Sequence, residues 1–456
     1  MEVVTIETPS LGDRSYLVVD GNNAAAIDPQ RDVDRVLAEL DRRGLTLALV
    51  LETHLHNDYV TGGFELAART GAAYVLPAGD DVEFDRVRAN DGDSFRVGER
   101  AVLRAMHTPG HTPHHLSYVV LDADRPVAVL TGGSLLYGTV GRTDLIGAGV
   151  TEELTRAQYR SAHRLARELP DHVTIHPTHG FGSFCSSSST SGSDSSTIAA
   201  ERRSNIAFGT SDEDAFVSEL LSGLTAYPRY YAHMAPRNRQ GPDPVDLSPP
   251  GGVDGSEIRR RIAAGEWVVD LRDRRAFASD HVAGTINVEI GDSFVTYLGW
   301  TIRWGTPVTL VGDSIEQVAE AQRQLVRIGM DRPAGAAGGG IDAWGAGCAR
   351  RSYRSATFAE LAAERQQGDA VVLDVRRQDE WEAGHIDGAL HIPLDQLEDR
   401  IHEVPTEGPV WVHCASGFRA SIAASLVDRS GRDVVAVHDE WDRASTHDLA
   451  VAARTA

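Results

Sequence analysis

An internal repeat of about 100 residues constrains the fold of this chain more than any other feature of its sequence. The first copy contains WVVDLRDRRAFASDHVAGTINV (267–288), followed by PVTLVGDS (307–314) and a helical stretch. The second contains VVLDVRRQDEWEAGHIDGALHI (371–392), followed by PVWVHCAS (409–416) and another helical stretch. In each copy an apolar strand leads through a loop into a helix. The repeat therefore predicts two small α/β units in succession.

The chain is long enough to hold a further domain before the repeat. It has 456 residues, and domains usually hold roughly 100–200. A stretch rich in Pro, Gly and Asp (236–252) precedes the repeat and predicts a linker. We therefore expect three domains, at 1–240, 253–350 and 355–456.

The composition excludes several classes of protein. A net charge of −22 repels phosphate backbones, so nucleic acid is not an expected partner. No apolar run reaches the roughly 18 residues of a membrane span, and the N-terminus lacks the pattern of a secretory signal. Three scattered cysteines fit a reducing compartment better than a disulfide framework. We expect a cytoplasmic protein without membrane partners, and the sequence allows a homo-oligomer.

Side chains that are typical metal ligands occur in three predicted loops of the first domain. The first loop directly follows a predicted buried strand (47–51). An H-x-H pair on an extended segment aims two imidazoles the same way, and a distant histidine completes a three-nitrogen site with open positions. The pattern therefore predicts a metal site. Its candidates are His54, His56 and Asp58 in the first loop, His111 in TPGHT and His179 in PTHG.

These motifs resemble the metallo-β-lactamase fold, in the branch of persulfide dioxygenases and glyoxalase II. The resemblance covers about the first 240 residues and implies an αββα sandwich. It rests on the order of four motifs: THLHNDYVTGG (53–63), TPGHT (108–112), TGGSLLYGTVGRTDL (131–145) and PTHG (177–180). In that family the pattern is H-x-H-x-D-H, a distal His, an Asp in T-G-D, and a last His.

The chain departs from the family pattern at two positions. Tyr59 stands where the last His of the first motif belongs, and Gly133 stands where the T-G-D aspartate belongs. The resemblance then implies a mononuclear centre, because one metal site is intact and the other is reduced. The intact site would use His54, His56 and His111, whereas the second keeps only Asp58 and His179. The missing aspartate is an expected iron ligand in the resembled enzymes.

Cys414 begins a loop, CASGFRA (414–420), between an apolar strand and a helix. Backbone N–H groups and the helix dipole then favour a thiolate, and Arg419 adds positive charge. The loop also resembles phosphatases, but the upstream pieces DVR (374–376) and GHIDGA (384–389) resemble rhodaneses. The resemblance implies that Cys414 carries sulfane sulfur. It departs at HDEW (438–441), where rhodaneses usually have a Gly-Gly pair.

The first copy of the repeat also resembles a rhodanese domain, through DLR (270–272) and GGGIDAW (338–344). Asp313 stands at its cysteine position. A carboxylate cannot accept sulfur by thiolate exchange. We therefore expect this copy to be catalytically inactive and to serve packing or docking, and we expect no role for Cys348.

Several side chains near the metal motifs have two interpretations. Asp144 either belongs to the family motif or braces its loop, and Cys185 either faces the metal pocket as a persulfide carrier or is a small buried residue. Tyr59 is a candidate for the surroundings of the metal. Three tyrosines either line a substrate cleft or pack in the core. They are Tyr227, Tyr230 and Tyr231.

Fe(II) and Zn(II) both suit a metal site that has three imidazole ligands and open coordination positions. With iron, the resemblance implies that a low-molecular-weight thiol persulfide and O₂ react to give sulfite, while Cys414 exchanges sulfur among persulfide, sulfite and thiosulfate. With zinc, a metal-bound water would hydrolyse a thioester, as in glyoxalase II. The rhodanese fusion favours iron. A third hypothesis is a metal-poor scaffold in which Cys414 alone is active, and Gly133 is its main support.

Overall fold

The computed structural model describes residues 1–188, 191–368, 370–447 and 449–452. The chain divides into two compact units, Met1–Val245 with Val326–Gly329, and Asp246–Leu325 with Met330–Ala456. Among the described residues, none of the helices has both the length and the apolar character that spanning a bilayer requires.

The first unit contains two six-stranded sheets. In the first, strands β1 to β3 are antiparallel and β3 to β6 are parallel. In the second, β7 to β10 are antiparallel and β10 pairs in parallel with β11. The strands are β1 (Glu2–Thr8), β2 (Asp13–Asp20), β3 (Asn23–Ile27), β4 (Thr46–Leu51), β5 (Ala73–Pro77), β6 (Val87–Ala89), β7 (Ser94–Arg96), β8 (Ala101–His107), β9 (Leu116–Asp122), β10 (Arg125–Gly132), β11 (Thr174–Pro177) and β12 (Ser196–Thr197).

Helices cover the outer face of each sheet, and the two inner faces pack together. In β2, Tyr16 and Val18 contact the second sheet, whereas Leu17 and Val19 pack under helices α1 and α2, as expected from the period of two in a strand. The unit is therefore the αββα sandwich that the resemblance implies. Its helices are α1 (Asp34–Arg43), α2 (Gly63–Thr70), α3 (Thr151–Glu168), α4 (Ile198–Ser204), α5 (Glu213–Gly223) and α6 (Tyr231–Gln240), with a 3₁₀ turn at Ile206–Phe208.

The second unit contains two parallel sheets with matching strand orders. The first is β15-β13-β16-β17 and the second is β22-β20-β23-β24-β19. Two short antiparallel pairs, β14 with β18 and β21 with β25, accompany them. The strands are β13 (Trp267–Asp270), β14 (His281–Val282), β15 (Ile286–Asn287), β16 (Val308–Val311), β17 (Gly335–Ala337), β18 (Arg350–Arg351), β19 (Arg354–Ala356), β20 (Val371–Asp374), β21 (Gly384–Ile386), β22 (Leu390–His391), β23 (Val410–His413), β24 (Val434–Val437) and β25 (Ala450–Ala452).

Helices connect these parallel strands, as crossover connections require. They are α7 (Gly255–Ala263), α8 (Arg274–Ser279), α9 (Phe294–Thr301), α10 (Ile315–Arg327), α11 (Ile341–Trp344), α12 (Phe358–Gln367), α13 (Gln378–Ala383), α14 (Leu394–Arg400), α15 (Phe418–Arg429) and α16 (Asp442–Thr446), with a 3₁₀ turn at Ile401–Glu403.

The predicted linker at 236–252 begins too early, because α6 continues to Gln240 and contains Pro236. Tertiary contacts explain why a helix forms there despite the proline. The Asn238 side chain donates to the carbonyls of His56 and Tyr59 and accepts from the backbone of Thr61. Helix α6 therefore anchors the loop that carries the first metal motif.

Candidate active sites

Three buried histidines from three loops form a donor group at one end of the sandwich. His54 follows β4, His111 follows β8, and His179 follows β11. One ring nitrogen from each lies within 4.8 Å of the others, and the Nε2 atoms of His54 and His179 are 3.4 Å apart. Two nitrogens on one tetrahedral zinc ion, each about 2.0–2.1 Å away, are about 3.4 Å apart. The spacing fits a metal ion.

A neighbouring group holds the other ring nitrogen, Nδ1, of each of these histidines. Such contacts fix the tautomer and leave the Nε2 lone pair for a metal. The His111 Nε2 atom is buried and has no hydrogen-bond partner among the described residues, as expected for an atom that awaits a ligand. The Nδ1 partners are the Thr53 hydroxyl at 2.8 Å for His54, the Arg142 carbonyl at 2.7 Å for His111 and the Asp13 carboxylate at 2.9 Å for His179.

The surroundings keep two of the three rings neutral. Burial, together with the imidazole of His179, lowers the pKa of His111 to about 3, and burial lowers the pKa of His54 well below its ordinary value. For His179, burial opposes the charge, but Asp58 and Asp13 outweigh burial and raise its pKa. Because a metal binds neutral imidazole, His179 must release a proton when it becomes a ligand.

His56 directs its Nε2 atom toward a second polar cluster. Nε2 lies 2.9 Å from the Tyr59 hydroxyl and 3.3 Å from carboxylate oxygens of both Asp28 and Glu52. Burial opposes a charge on His56, but the two carboxylates raise its pKa to about 9. Its Nδ1 atom is buried without a hydrogen-bond partner among the described residues. Tyr59, which replaces the family histidine, therefore orients His56.

Asp58 and Cys185 border the histidine group. Asp58 forms a second donor group with His56 and His179, again within 4.8 Å. Cys185 is fully buried, and burial followed by the charges of Asp58 and Asp13 raises its pKa well above the ordinary value. A thiol in this setting stays protonated and is a poor nucleophile.

Asp144 supports the site through Arg142. The two side chains form a bidentate pair with both contacts at 2.7 Å, and the Arg142 carbonyl accepts from His111. The Arg142 guanidinium also lies 4.6 Å from the ring centre of Tyr227. Tyr230 and Tyr231 are buried beside this region. The contacts of Asp144 are those of a residue that braces its loop.

Gly133 leaves no space for a side chain at the position of the family aspartate. A Cβ atom there would lie 2.3 Å from Cδ2 of His111, and the Gly133 N–H donates to Nε2 of His115 at 3.0 Å. His115 is a buried histidine that the motifs did not single out. The His111 ring therefore occupies the volume that an aspartate would need.

We expect a Gly133→Asp variant to lose metal affinity rather than gain a ligand, because the new side chain displaces the His111 ring. Overpacking of this kind costs about 1–3 kcal/mol and lowers the melting temperature by several degrees. Thermal melts and metal titration of the full chain measure both effects. Gly149→Asp is the control, since nothing lies within 4 Å of a Cβ there. Tighter metal binding by Gly133→Asp would contradict this account.

Cys414 directly follows β23 and lies at the start of α15, as the sequence predicts. The backbone N–H groups of Gly417 and Ala420 donate to its Sγ at 3.1 and 3.3 Å. The Cys414 side chain is buried. Two donors at a helix N-terminus stabilise negative charge on sulfur, so the loop suits a nucleophilic thiolate.

A carboxylate holds Arg419 beside this loop. Its guanidinium makes two contacts with Glu380, at 2.5 and 2.7 Å. Below the loop, Asp374 and Arg376 form a buried bidentate pair. His438, in the position of the usual Gly-Gly pair, is close to the loop, since a Cβ on Gly417 would lie 3.0 Å from its Cα.

The first repeat reproduces the frame of this site without its nucleophile. Asp270 and Arg272 form the same buried pair as their counterparts in the second repeat. Asp313 follows β16 and is exposed, with its backbone N–H donating to Gln317. Cys348 lies outside this loop and contacts the carbonyl of Gly255.

Sequence reasoning did not identify Asp28, which links the loops of the first site. Its carboxylate accepts from the backbone and hydroxyl of Thr53, at 2.7 and 2.8 Å, and from the hydroxyl of Thr178. Asp28 also has a φ of 50°, which is uncommon for a residue other than glycine. Its position between a strand and Pro29 was the only available signal.

Comparison with known proteins identifies two parts of the chain. The Metallo-beta-lactamase superfamily matches residues 12–179, and the Rhodanese-like domain matches residues 357–442. The chain is a fusion of a metallo-β-lactamase superfamily domain and a rhodanese-like domain. The first match contains the three-histidine group, and the second contains Cys414.

Relatives with two different activities resemble the first domain about equally. Hydroxyacylglutathione hydrolase of Methylococcus capsulatus is 36% identical over 181 residues, covering 39% of this chain and 66% of that protein. Persulfide dioxygenase ETHE1, mitochondrial, of Homo sapiens is 31% identical over 176 residues, covering 38% of this chain and 63% of that protein. The fusion chain thus spans less than two thirds of the length of these curated relatives.

One solved structure resembles a larger part of the fusion. A crystal structure of a metallo-beta-lactamase from Staphylococcus aureus subsp. aureus COL has a TM-score of 0.66 and 28% identity, covering 74% of this chain and 98% of that chain. The matched share of this chain is larger than the share that the first unit occupies, so the match extends beyond that unit. Together the two matching domains indicate an enzyme, and the histidine group supports a metal in the first of them.

Proposed function

We propose that this fusion oxidises a low-molecular-weight thiol persulfide to sulfite in its first domain and carries sulfane sulfur on Cys414. One observation carries the proposal: a mononuclear-type histidine group and a complete Cys414 loop occur on the same chain. The rhodanese-like domain would exchange sulfane sulfur with the persulfide that the first domain oxidises. All three cysteines are free, which supports a reducing compartment such as the cytoplasm.

We propose that His54, His111 and His179 hold the metal, with Fe(II) as the ion. The motif prediction of His54, His56 and His111 is the alternative set, and the buried Nδ1 of His56 supports it. Iron would supply a centre at which a persulfide and O₂ react. Three histidine ligands suffice in the proposed set, so the aspartate that Gly133 replaces is not needed.

The protein's own groups perform the remaining tasks. Thr53, Arg142 and Asp13 orient the three rings, so that their lone pairs converge. Asp58 and Asp13 hold the proton on Nδ1 of His179 and raise the pKa of the ring, so a metal at Nε2 would displace only the proton on Nε2. In the rhodanese-like domain, the N–H groups of Gly417 and Ala420 stabilise the Cys414 thiolate. This thiolate attacks the outer sulfur of a donor, the S–S bond of the donor breaks, and a thiolate or sulfite leaves. The first repeat lacks this thiol at Asp313, so we propose that it is inactive.

Elemental analysis and O₂ uptake test the proposal together. We expect near-stoichiometric iron in the gently purified full chain, and O₂ consumption that depends on a thiol persulfide such as glutathione persulfide. The amount of sulfite formed should equal the amount of O₂ consumed. Iron-loaded protein that consumes no O₂ with several thiol persulfides would refute the dioxygenase activity. Absence of bound metal would favour the scaffold hypothesis, with Cys414 as the only active group.

A zinc-dependent thioester hydrolase is the second candidate, and the 36% identical hydroxyacylglutathione hydrolase supports it. The loss of the family ligands at Tyr59 and Gly133 disfavours the two-metal centre of a hydrolase. Hydrolysis of a glutathione thioester by the zinc-loaded chain, without persulfide-dependent O₂ uptake by the iron-loaded chain, would select this candidate.

A further inference from the structure

A short segment at the end of α10 belongs to the first unit, which contains the metal motifs. The segment is Val326–Gly329. Backbone groups at both of its ends are held there, because the Arg31 guanidinium donates to the Val326 carbonyl at 3.3 Å and Arg237 donates to the Gly329 carbonyl. The segment is therefore fixed in the first unit, although it lies far beyond α6, the last helix of that unit before the linker.

Arg327, in the middle of this segment, connects three loops of the first unit. Its guanidinium forms a bidentate pair with Asp32, at 3.1 and 2.7 Å, and donates to the Ser10 hydroxyl at 2.7 Å. Its carbonyl accepts from the backbone N–H of Val60 at 2.8 Å. The Asp32 side chain is fully buried and that of Arg327 is 7% exposed. Water therefore competes little for these contacts, and the planar guanidinium fixes their geometry.

Each of the three loops also carries a residue that supports the metal site. The residue bonded to Arg327 and the supporting residue lie close together in the chain. The three pairs are Ser10 with Asp13, Asp32 with Asp28, and Val60 with Tyr59. In each pair the second residue contacts a candidate ligand or a group that orients one. Arg327 thus reaches the ligands through the residues that support them.

The charge of Asp32 depends on this arginine. Burial opposes the charge, but the contacts with Arg327 and Arg35 outweigh burial and lower the pKa of Asp32. Without Arg327 the carboxylate would keep its buried charge with less compensation. The loop after β3 would then have to shift until water reached the carboxylate, and Asp28 lies in the same loop.

We propose that Arg327 is a positioning residue for the metal centre, which holds the three supporting loops at the spacing at which the histidine nitrogens converge. A chain that ended at the linker would lack this residue, so the metal site depends on a segment of the first repeat. The inference rests on the proposed function only in the presence of a metal at the histidine group. It does not depend on the reaction that the metal performs.

Titration of the full chain with Co(II) tests this inference without a measurement of activity. We expect Arg327→Met to bind Co(II) about tenfold more weakly, because loss of a group that orients a ligand costs about 10–100-fold and Arg327 acts one contact farther away. Arg327→Lys should show a smaller loss, since lysine keeps the charge but lacks the fork that bonds both oxygens of Asp32. It also serves if the methionine variant misfolds. Arg332→Met is the matched control, because it removes an exposed arginine that pairs with Asp246.

Thermal melts separate positioning from stability, and each variant is titrated at a temperature at which it is folded. A lower melting temperature with unchanged Co(II) affinity and absorption spectrum in both Arg327 variants would overturn the inference, because a structural role alone produces that result. Absence of Co(II) binding by the unmodified chain would refute the proposed metal centre, and the inference with it. Normal Co(II) binding without persulfide-dependent O₂ uptake by the iron-loaded chain would refute the dioxygenase activity alone.

Discussion

A Cys414→Ser variant of the full chain is expected to lose thiosulfate:cyanide sulfur transfer by at least about 10³-fold while it keeps its metal. Serine retains the shape of the loop, but its hydroxyl does not ionise near neutral pH and cannot hold a sulfane sulfur. The N–H donors of Gly417 and Ala420 would then surround a neutral oxygen. Sulfur transfer is measured as thiocyanate formed, and metal by elemental analysis.

Two other cysteine variants complete this experiment. Cys348→Ser should transfer sulfur at the normal rate, because Cys348 lies outside the loop, where its thiol donates to the carbonyl of Gly255 and packs against the core of the first repeat. If Cys414→Ser retained activity, the reactive thiol would instead be Cys185. The double variant Cys185→Ser with Cys414→Ser would then be inactive.

A His179→Ala variant is expected to bind metal more than about 100-fold more weakly, because loss of a neighbouring group that only orients a ligand already costs 10–100-fold. The Nε2 atom of His179 lies 3.4 Å from that of His54 and has no replacement in the proposed set. Titration with Co(II), followed by its absorption spectrum, measures affinity independently of catalysis. Activity of the loaded enzyme is not needed.

Two further histidine variants decide between the donor sets. His176→Ala is the matched control. His176 lies in β11, the strand that precedes His179, and its ring contacts the hydroxyl of Thr174. This variant should bind metal normally. His56→Ala should weaken binding less than His179→Ala. The opposite order would establish the set that the motifs predict, His54, His56 and His111.

The local pattern of the sequence was sufficient to place the two candidate sites along the chain. Apolar runs predicted the strands before each site, and the strand predicted at 47–51 lies within β4 (Thr46–Leu51). The histidines of the metal motifs lie in loops at the ends of strands, as do the candidate sites of many α/β proteins. The sequence likewise brought Cys414 and Arg419 together, because they lie close in the chain, with Arg419 in the first turn of α15. Strands and the loops that follow them can be predicted in this way because they depend on residues that are close in the sequence.

Contacts between distant segments decided how those residues are used. Asp13 holds His179 from 166 residues away, and Asp28 joins loops that lie 25 and 150 residues beyond it. No motif marks Asp13, and only the position between a strand and Pro29 marks Asp28, because a hydrogen bond depends on where the fold brings a side chain. In the same way, the sequence alone shows Asp313 at the cysteine position of the first repeat, whereas only packing placed Tyr297 of that repeat beside Arg419. The sequence thus determined which chemical groups are present, and the tertiary structure determined their orientation and partners.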